Sequence, residues 1–247
     1  MWQENGCDTI ESVSLLFAVS KDAAMDKDTL LQHLKTKPDL HQLALEAGND
    51  PSLLAALFEV VRSDRSPLRY SCTKTIRFLS EQQPEKVYPY FLDTASWLQN
   101  TNSFVKWDGI LTLANLAAVD TERRFESFYE MYFGLLRDTQ MVTAANVAGN
   151  AWKIVQARPD WESDITARLL EVPQIVYLHH GEPSPECNRV MCGHILDCFD
   201  KYFAQSHSQA AILRFAQSQL DSPRKSVAKA AARFLKRHKN TAENPAD

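Results

Sequence analysis

The chain has 247 residues, enough for one large domain, two small ones or an extended repeat array. Hydrophobic residues make up 45% and charged residues 23%, which excludes a chain disordered throughout, and 7 glycines against 11 prolines argue against a turn-rich β fold and Gly-rich phosphate loops. A net charge of −4 excludes a polyanion binder that works through its overall charge.

Residues 1–50 are acidic, with nine acids and four bases, and carry three predicted helices near 8–20, 27–36 and 38–48. The opening MWQENGCDTIESV has no basic residue before its apolar run, so no secretory leader is expected. No apolar stretch approaches the roughly 20 residues a bilayer span requires. From residue 51 onward, prolines and small polar residues punctuate the chain at even intervals. Proline is tolerated in the first turn of a helix and disrupts its interior, so these positions predict helix starts. First helices of successive pairs are predicted near 51, 85, 121, 160 and 207, and second helices near 66, 103, 140, 185 and 222. The second helices start 37, 37, about 45 and about 37 residues apart, near the period of two-helix repeats.

Apolar spacing within these segments is helical. In SFVKWDGILTLANLAA (103–118), Phe104, Trp107, Leu111, Ala114 and Ala118 step by three and four, flanked by Ile110, Leu113 and Ala117. In TERRFESFYEMYFGLLR (121–137), Phe125, Phe128, Tyr129, Tyr132, Phe133 and Leu136 predict one helix, capped through the side-chain oxygen of Asp120 or Thr121. Segments 66–79 (SPLRYSCTKTIRFL) and 222–235 (SPRKSVAKAAARFL) have equal length, open on Ser-Pro and close on Arg-Phe-Leu; 184–197 (SPECNRVMCGHILD) opens the same way. VPQIVYLHHGEP (172–183) interrupts the period and predicts a loop insertion, and NTAENPAD (240–247) a frayed tail.

The alternation, the period and segments such as VKWDGILTLANLAA resemble HEAT repeats and their armadillo-like relatives. The resemblance implies an all-α fold, a right-handed α-α superhelix of about five helix pairs over residues 51–239, with second helices lining a concave face. Residues 1–50 would then form an N-terminal helical cap. Each pair is too small to bury its own apolar face, so neighbours must stack.

One HEAT-like family is enzymatic, the DNA glycosylases that remove alkylated bases. Its signature resembles W-D-x-x-D, with the second carboxylate catalytic. In WDGIL that position is Leu111, which cannot stabilise the oxocarbenium charge that develops on deoxyribose. Trp107 therefore belongs to the predicted core, and Asp108 lies off the apolar stripe. Nor does the sequence contain G-x-S-x-G, a P-loop or G-x-G-x-x-G. Glu126 and Glu130 share a helix face without the E-x-x-H partner a carboxylate-bridged metal site needs. The stretch 177–198 holds His179, His180, Glu182, Cys187, Cys192, His194 and Cys198, but no C-x-x-C or H-x-x-x-H pair. No enzyme activity, metal or cofactor is expected.

Polar stripes carry the binding expectation. Asp108, Thr112 and Asn115 step along one face of a second helix, and Asn146, Asn150 and Lys153 repeat the pattern about 38 residues later. Equivalent positions of stacked second helices line one surface, and amides both donate to and accept from a peptide backbone. Armadillo proteins use an Asn ladder this way, often with a Trp one turn earlier; here those earlier positions are Leu111 and Asn146. The stripe is thus either a ligand surface or a solvated polar face. Lys225, Lys229 and Arg233 form a third stripe in a stretch, 222–240, that has no acid. It predicts either a solvated basic helix or a contact to an anionic ligand. A protein partner is the first expectation and nucleic acid the second. Five cysteines at irregular spacing predict reduced thiols and a cytoplasmic location.

Overall fold

Aspartate and asparagine side chains start most of the early helices. In a computed structural model that describes residues 25–238, Asp26 caps α1 (Lys27–Lys35) and Asp39 caps α2 (Leu40–Asn49). Asp50 caps α3 (Pro51–Ser63), accepting from Ser52 and Leu53 N–H, with Pro51 in the first turn. These side chains satisfy N–H groups that the first turn of a helix leaves unpaired. α4 (Leu68–Gln82) follows Ser66-Pro67. Next come α5 (Pro84–Val87) and α6 (Phe91–Ser96), each followed by a 3₁₀ turn. Asn102 accepts from Phe104 and Val105 N–H to start α7 (Ser103–Leu116). α8 (Tyr129–Gly134), α9 (Met141–Ala157) and α10 (Glu162–Glu171) lead to a two-stranded antiparallel hairpin, β1 (Leu178–His179) and β2 (Glu182–Pro183). α11 (Pro185–Asp200), α12 (Gln209–Ser218) and α13 (Lys225–His238) complete the described chain. The chain is mostly helical, and no helix among the described residues is long and apolar enough to cross a membrane.

The predicted second helices are present as α4, α7, α9, α11 and α13, which begin at residues 68, 103, 141, 185 and 225. They pack each upon the next in chain order, while α3, α6 and α12 lie against α4, α7 and α13. Side-chain hydrogen bonds between elements join residues about one repeat apart: Tyr88 to Asp120, Trp107 to Thr143, Thr166 to Tyr202.

Three expectations need correction or restriction. The segment 121–137 is not one helix. It is a 3₁₀ turn (Arg124–Phe128), the short α8 and another 3₁₀ turn (Leu135–Arg137). Asp120 does cap, accepting from Arg124 and Phe125 N–H at 2.8 Å each, but Arg123 enters at φ 57° and crowded aromatic side chains disfavour a long helix. The predicted apolar stripe of α7 is right in its middle and wrong at its ends: Ile110, Leu113, Ala114 and Ala117 are buried and Trp107 packs on the core, but Phe104 is 58% exposed, Ala118 is exposed, and Val105 and Leu116, outside the predicted set, are buried. α7 is sandwiched between α4 and α9 as well as against α6, so apolar residues occupy most of its circumference. The predicted helix 8–20, Cys7 and the tail 240–247 lie outside the described residues.

The loop insertion at 172–183 is tied down rather than loose. Tyr177 is fully buried and donates to the Leu136 carbonyl at 2.8 Å, and Leu178 N–H donates to Thr139. The hairpin turns through His180 and Gly181, both at positive φ.

Candidate functional site

The polar stripe Asp108, Thr112, Asn115 does not face solvent. Asp108 accepts from the Thr73 hydroxyl at 2.6 Å and from Arg77 Nε–H at 3.0 Å, two groups on α4. Burial pushes its pKa up against the opposing pull of Thr73 and Arg77. Thr112 is wholly buried, and its hydroxyl has no hydrogen-bond partner among the described residues. Asn115 is 8% exposed; its amide donates to the Ser80 hydroxyl at 2.9 Å, and its oxygen accepts from Lys153 Nζ at 2.7 Å. As contact residues for an outside partner, Asp108 and Thr112 are corrected, and Asn115 is largely withdrawn. The reason is geometric: a second helix has a second helix on each side, so residues flanking its apolar stripe meet neighbours rather than water.

The stripe on α9 is more open. Asn146 and Asn150 are half-buried and donate to carbonyls one turn back, Val142 at 3.1 Å and Asn146 at 2.9 Å. Between them sits Gly149, above which a Cβ would meet nothing within 4 Å. Val142, 43% exposed, and Phe104 lie at the N-terminal ends of α9 and α7. The accessible face of α9 is thus built from Val142, Ala145, Asn146, Gly149 and Asn150, with no charge before Lys153.

At the C-terminal ends of α4, α7 and α9 this face dips into an open groove of about 380 Å³. Ser80, Asn115, Trp152, Lys153 and Gln156 line it. Ser80 donates to the Arg77 carbonyl at 2.7 Å, which fixes the chain of bonds Lys153 to Asn115 to Ser80. Burial lowers the Lys153 pKa, countered by Glu81. Lys153 and Lys201 place their ammonium groups 5.7 and 5.9 Å from the centre of the Trp152 ring. Thr73, Ser80, Trp152, Gly149 and Lys201 were not singled out from the sequence. The one-repeat separations Thr73–Asp108 and Ser80–Asn115, 35 residues each, are a signal that points to the first two; Gly149, Trp152 and Lys201 carried none.

Lys225, Lys229 and Arg233 are exposed on α13, opposite its buried Val227, Ala231 and Phe234. None of the three makes an ion pair among the described residues. Their neighbours are partly neutralised, Arg224 by Glu186 and Arg237 by Asp200. Asp197 shares two surface depressions with Arg233.

The region 177–198 does not converge. Among the described residues no three His, Cys, Asp or Glu come together where a metal ion could sit. Cys72, Cys187, Cys192 and Cys198 are buried free thiols. Burial pushes Cys192 up to about 11 and Cys72 and Cys198 up to about 12, so none of these three carries a ready thiolate at neutral pH. His179 and His180 stack on each other at the hairpin turn.

No protein-family model matches the chain, and no curated protein matches it. Among solved structures, an engineered protein from the Northeast Structural Genomics Consortium is similar at 16% identity and a TM-score of 0.46, covering 93% of this chain and 96% of that one. At that level the likeness carries no argument about fold or function.

Proposed function

We propose that the chain is a non-catalytic scaffold or adaptor that binds a protein partner along the exposed face of its second helices. In this reading residues 51–239 form a HEAT-like, right-handed α-solenoid of about five pairs, residues 1–50 cap it, and the protein works in the cytoplasm. The stepwise packing of α4, α7, α9, α11 and α13 supports the solenoid.

One observation carries the binding reading. The accessible face of α9 is uncharged and small over three turns, and Gly149 stands in its interior with open space above it. Glycine there costs the helix about 1 kcal/mol relative to alanine. Nothing within the described chain packs on it to account for that cost. A partner backbone passing close over α9 does, with Asn146 and Asn150 offering amide oxygens to its N–H groups.

The test is a blocking variant. Gly149→Leu is expected to keep the helical circular dichroism and thermal midpoint of the wild type. In affinity capture from native extract the wild type should retain a specific protein in near-stoichiometric amount, and Gly149→Leu should lose it. Equal retention by both proteins sinks the proposed face. A second reading, nucleic-acid binding through α13, draws on the exposed, unpaired Lys225, Lys229 and Arg233.

A further inference from the structure

We infer that the groove at the C-terminal ends of α4, α7 and α9 receives a carboxylate side chain from an acidic peptide segment, held by Lys153 against Trp152, with Lys201 beside the same ring. The inference rests on the proposal that this face binds protein, and it names the chemistry of the segment bound.

Lys153 is half-buried at the groove wall. Its ammonium donates to a neutral acceptor, Asn115 Oδ1 at 2.7 Å, and reaches no carboxylate within ion-pair distance among the described residues. Lys201 likewise has no ion pair among them. Taking an ammonium partly out of water without a counter-ion is costly, and a lysine stem is long enough to carry its charge to solvent instead. Here the amide prevents that. Asn115 is held by Ser80, and Ser80 by the Arg77 carbonyl, so the acceptor is fixed in place and draws Lys153 inward. The one acid at the rim, Glu81, is engaged by Arg77 at 2.8 Å. Two cations without an ion pair therefore lie beside one indole, Lys153 in the groove lining with Ala114 and Ala118, and Lys201 on the Trp152 ring at its edge.

The anion that fits is a carboxylate. Phosphate sites draw on helix N-termini and on the forked donors of arginine. This groove lies at three helix C-termini, whose partial negative charge suits lysine and opposes a dianion about twice as strongly as a single carboxylate. The apolar floor and the Gln156 amide match a peptide carrying the acid.

The experiment is fluorescence polarisation on the full chain with two labelled ten-residue peptides, one rich in Glu and Leu, the other identical except for Gln at every Glu. Lys153→Met and Lys201→Met keep the stems and remove the charges; Lys225→Ala/Lys229→Ala/Arg233→Ala is the control. Lys153→Met should melt no lower than the wild type. The acidic peptide should bind the wild type and the control alike, and each Met variant roughly tenfold more weakly. The Gln peptide should bind weakly to all. Equal affinity for the two peptides, or an acidic-peptide affinity unchanged by Lys153→Met, overturns the inference. So does a single-stranded oligonucleotide that displaces the acidic peptide and itself depends on Lys153. Should Gly149→Leu still abolish capture of the native partner while Lys153→Met does not, the binding face stands and the carboxylate pocket falls. Loss of both signals from the wild type removes both proposals.

Discussion

Glu162 is 2% exposed, and its carboxylate accepts from the Ser206 hydroxyl at 2.6 Å, the Thr166 hydroxyl at 2.8 Å and His207 N–H at 3.1 Å. Burial pushes its pKa up, and these hydrogen bonds outweigh burial and hold it below the usual carboxylate range. A carboxyl whose folded pKa is depressed contributes stability above its unfolded value, about 4.3, and loses it as pH falls through the folded one. Glu162→Gln should cost about 1–3 kcal/mol at neutral pH. It should also flatten the fall in urea midpoint below roughly pH 4; an acid limb as steep as the wild type's would contradict this account. The residue was not legible in the sequence, because two of its donors, Ser206 and His207, lie 44 and 45 residues away in the connection before α12. Asp108 fails in the opposite sense: it looked solvent-facing by helical phase, yet it is claimed by Thr73 and Arg77.

Two helices of the second set carry glycines whose surroundings differ. On α7, a Cβ at Gly109 would lie 2.8 Å from Trp97 Cβ, so the helix relies on glycine to approach the turn after α6. On α9, Gly149 faces open space. Gly109→Ala should therefore destabilise the fold by about 1–3 kcal/mol through overpacking. Gly149→Ala should stabilise it by about 0.5–1 kcal/mol. Urea unfolding of the two variants reads both signs, and effects of the same sign would mean that one environment is misassigned. Helix starts were legible at this scale because caps and prolines act locally: Pro51, Asn102 and Pro185 each sit where the chain enters a helix. The fragmentation of 121–137 was not, because period alone does not distinguish a continuous helix from short turns held by tertiary aromatic contacts such as Phe125 on Tyr132.

Across the whole molecule, charge separates the two binding readings. The net charge is −4; Lys225, Lys229 and Arg233 form an exposed basic stripe on α13, while the accessible face of α9 carries no charge before Lys153. If α13 grips nucleic acid through Lys225, Lys229 and Arg233, three phosphate contacts give a slope of log affinity against log salt of about −2 to −3. The triple alanine variant should then abolish binding at low salt, measured with a labelled duplex and a labelled single strand. A protein partner on α9 should be indifferent to that variant. Salt-resistant nucleic-acid binding, or binding that survives the triple change, would count against the α13 reading.

The sequence by itself determined the helical class, the rhythm of about 37 residues and, within about three residues, where each second helix starts. Those features follow from capping, proline geometry and apolar period, all of which act within a few residues. Only the tertiary structure decided which polar residues remain available. With second helices packed on each side, Thr112 is sealed, Asp108 is paired and Asn115 is turned into a link between Ser80 and Lys153. A helical phase gives the direction of a side chain but not what stands in that direction. That is why Gly149 and the pair Lys153 and Lys201 around Trp152 emerged only from the packed helices.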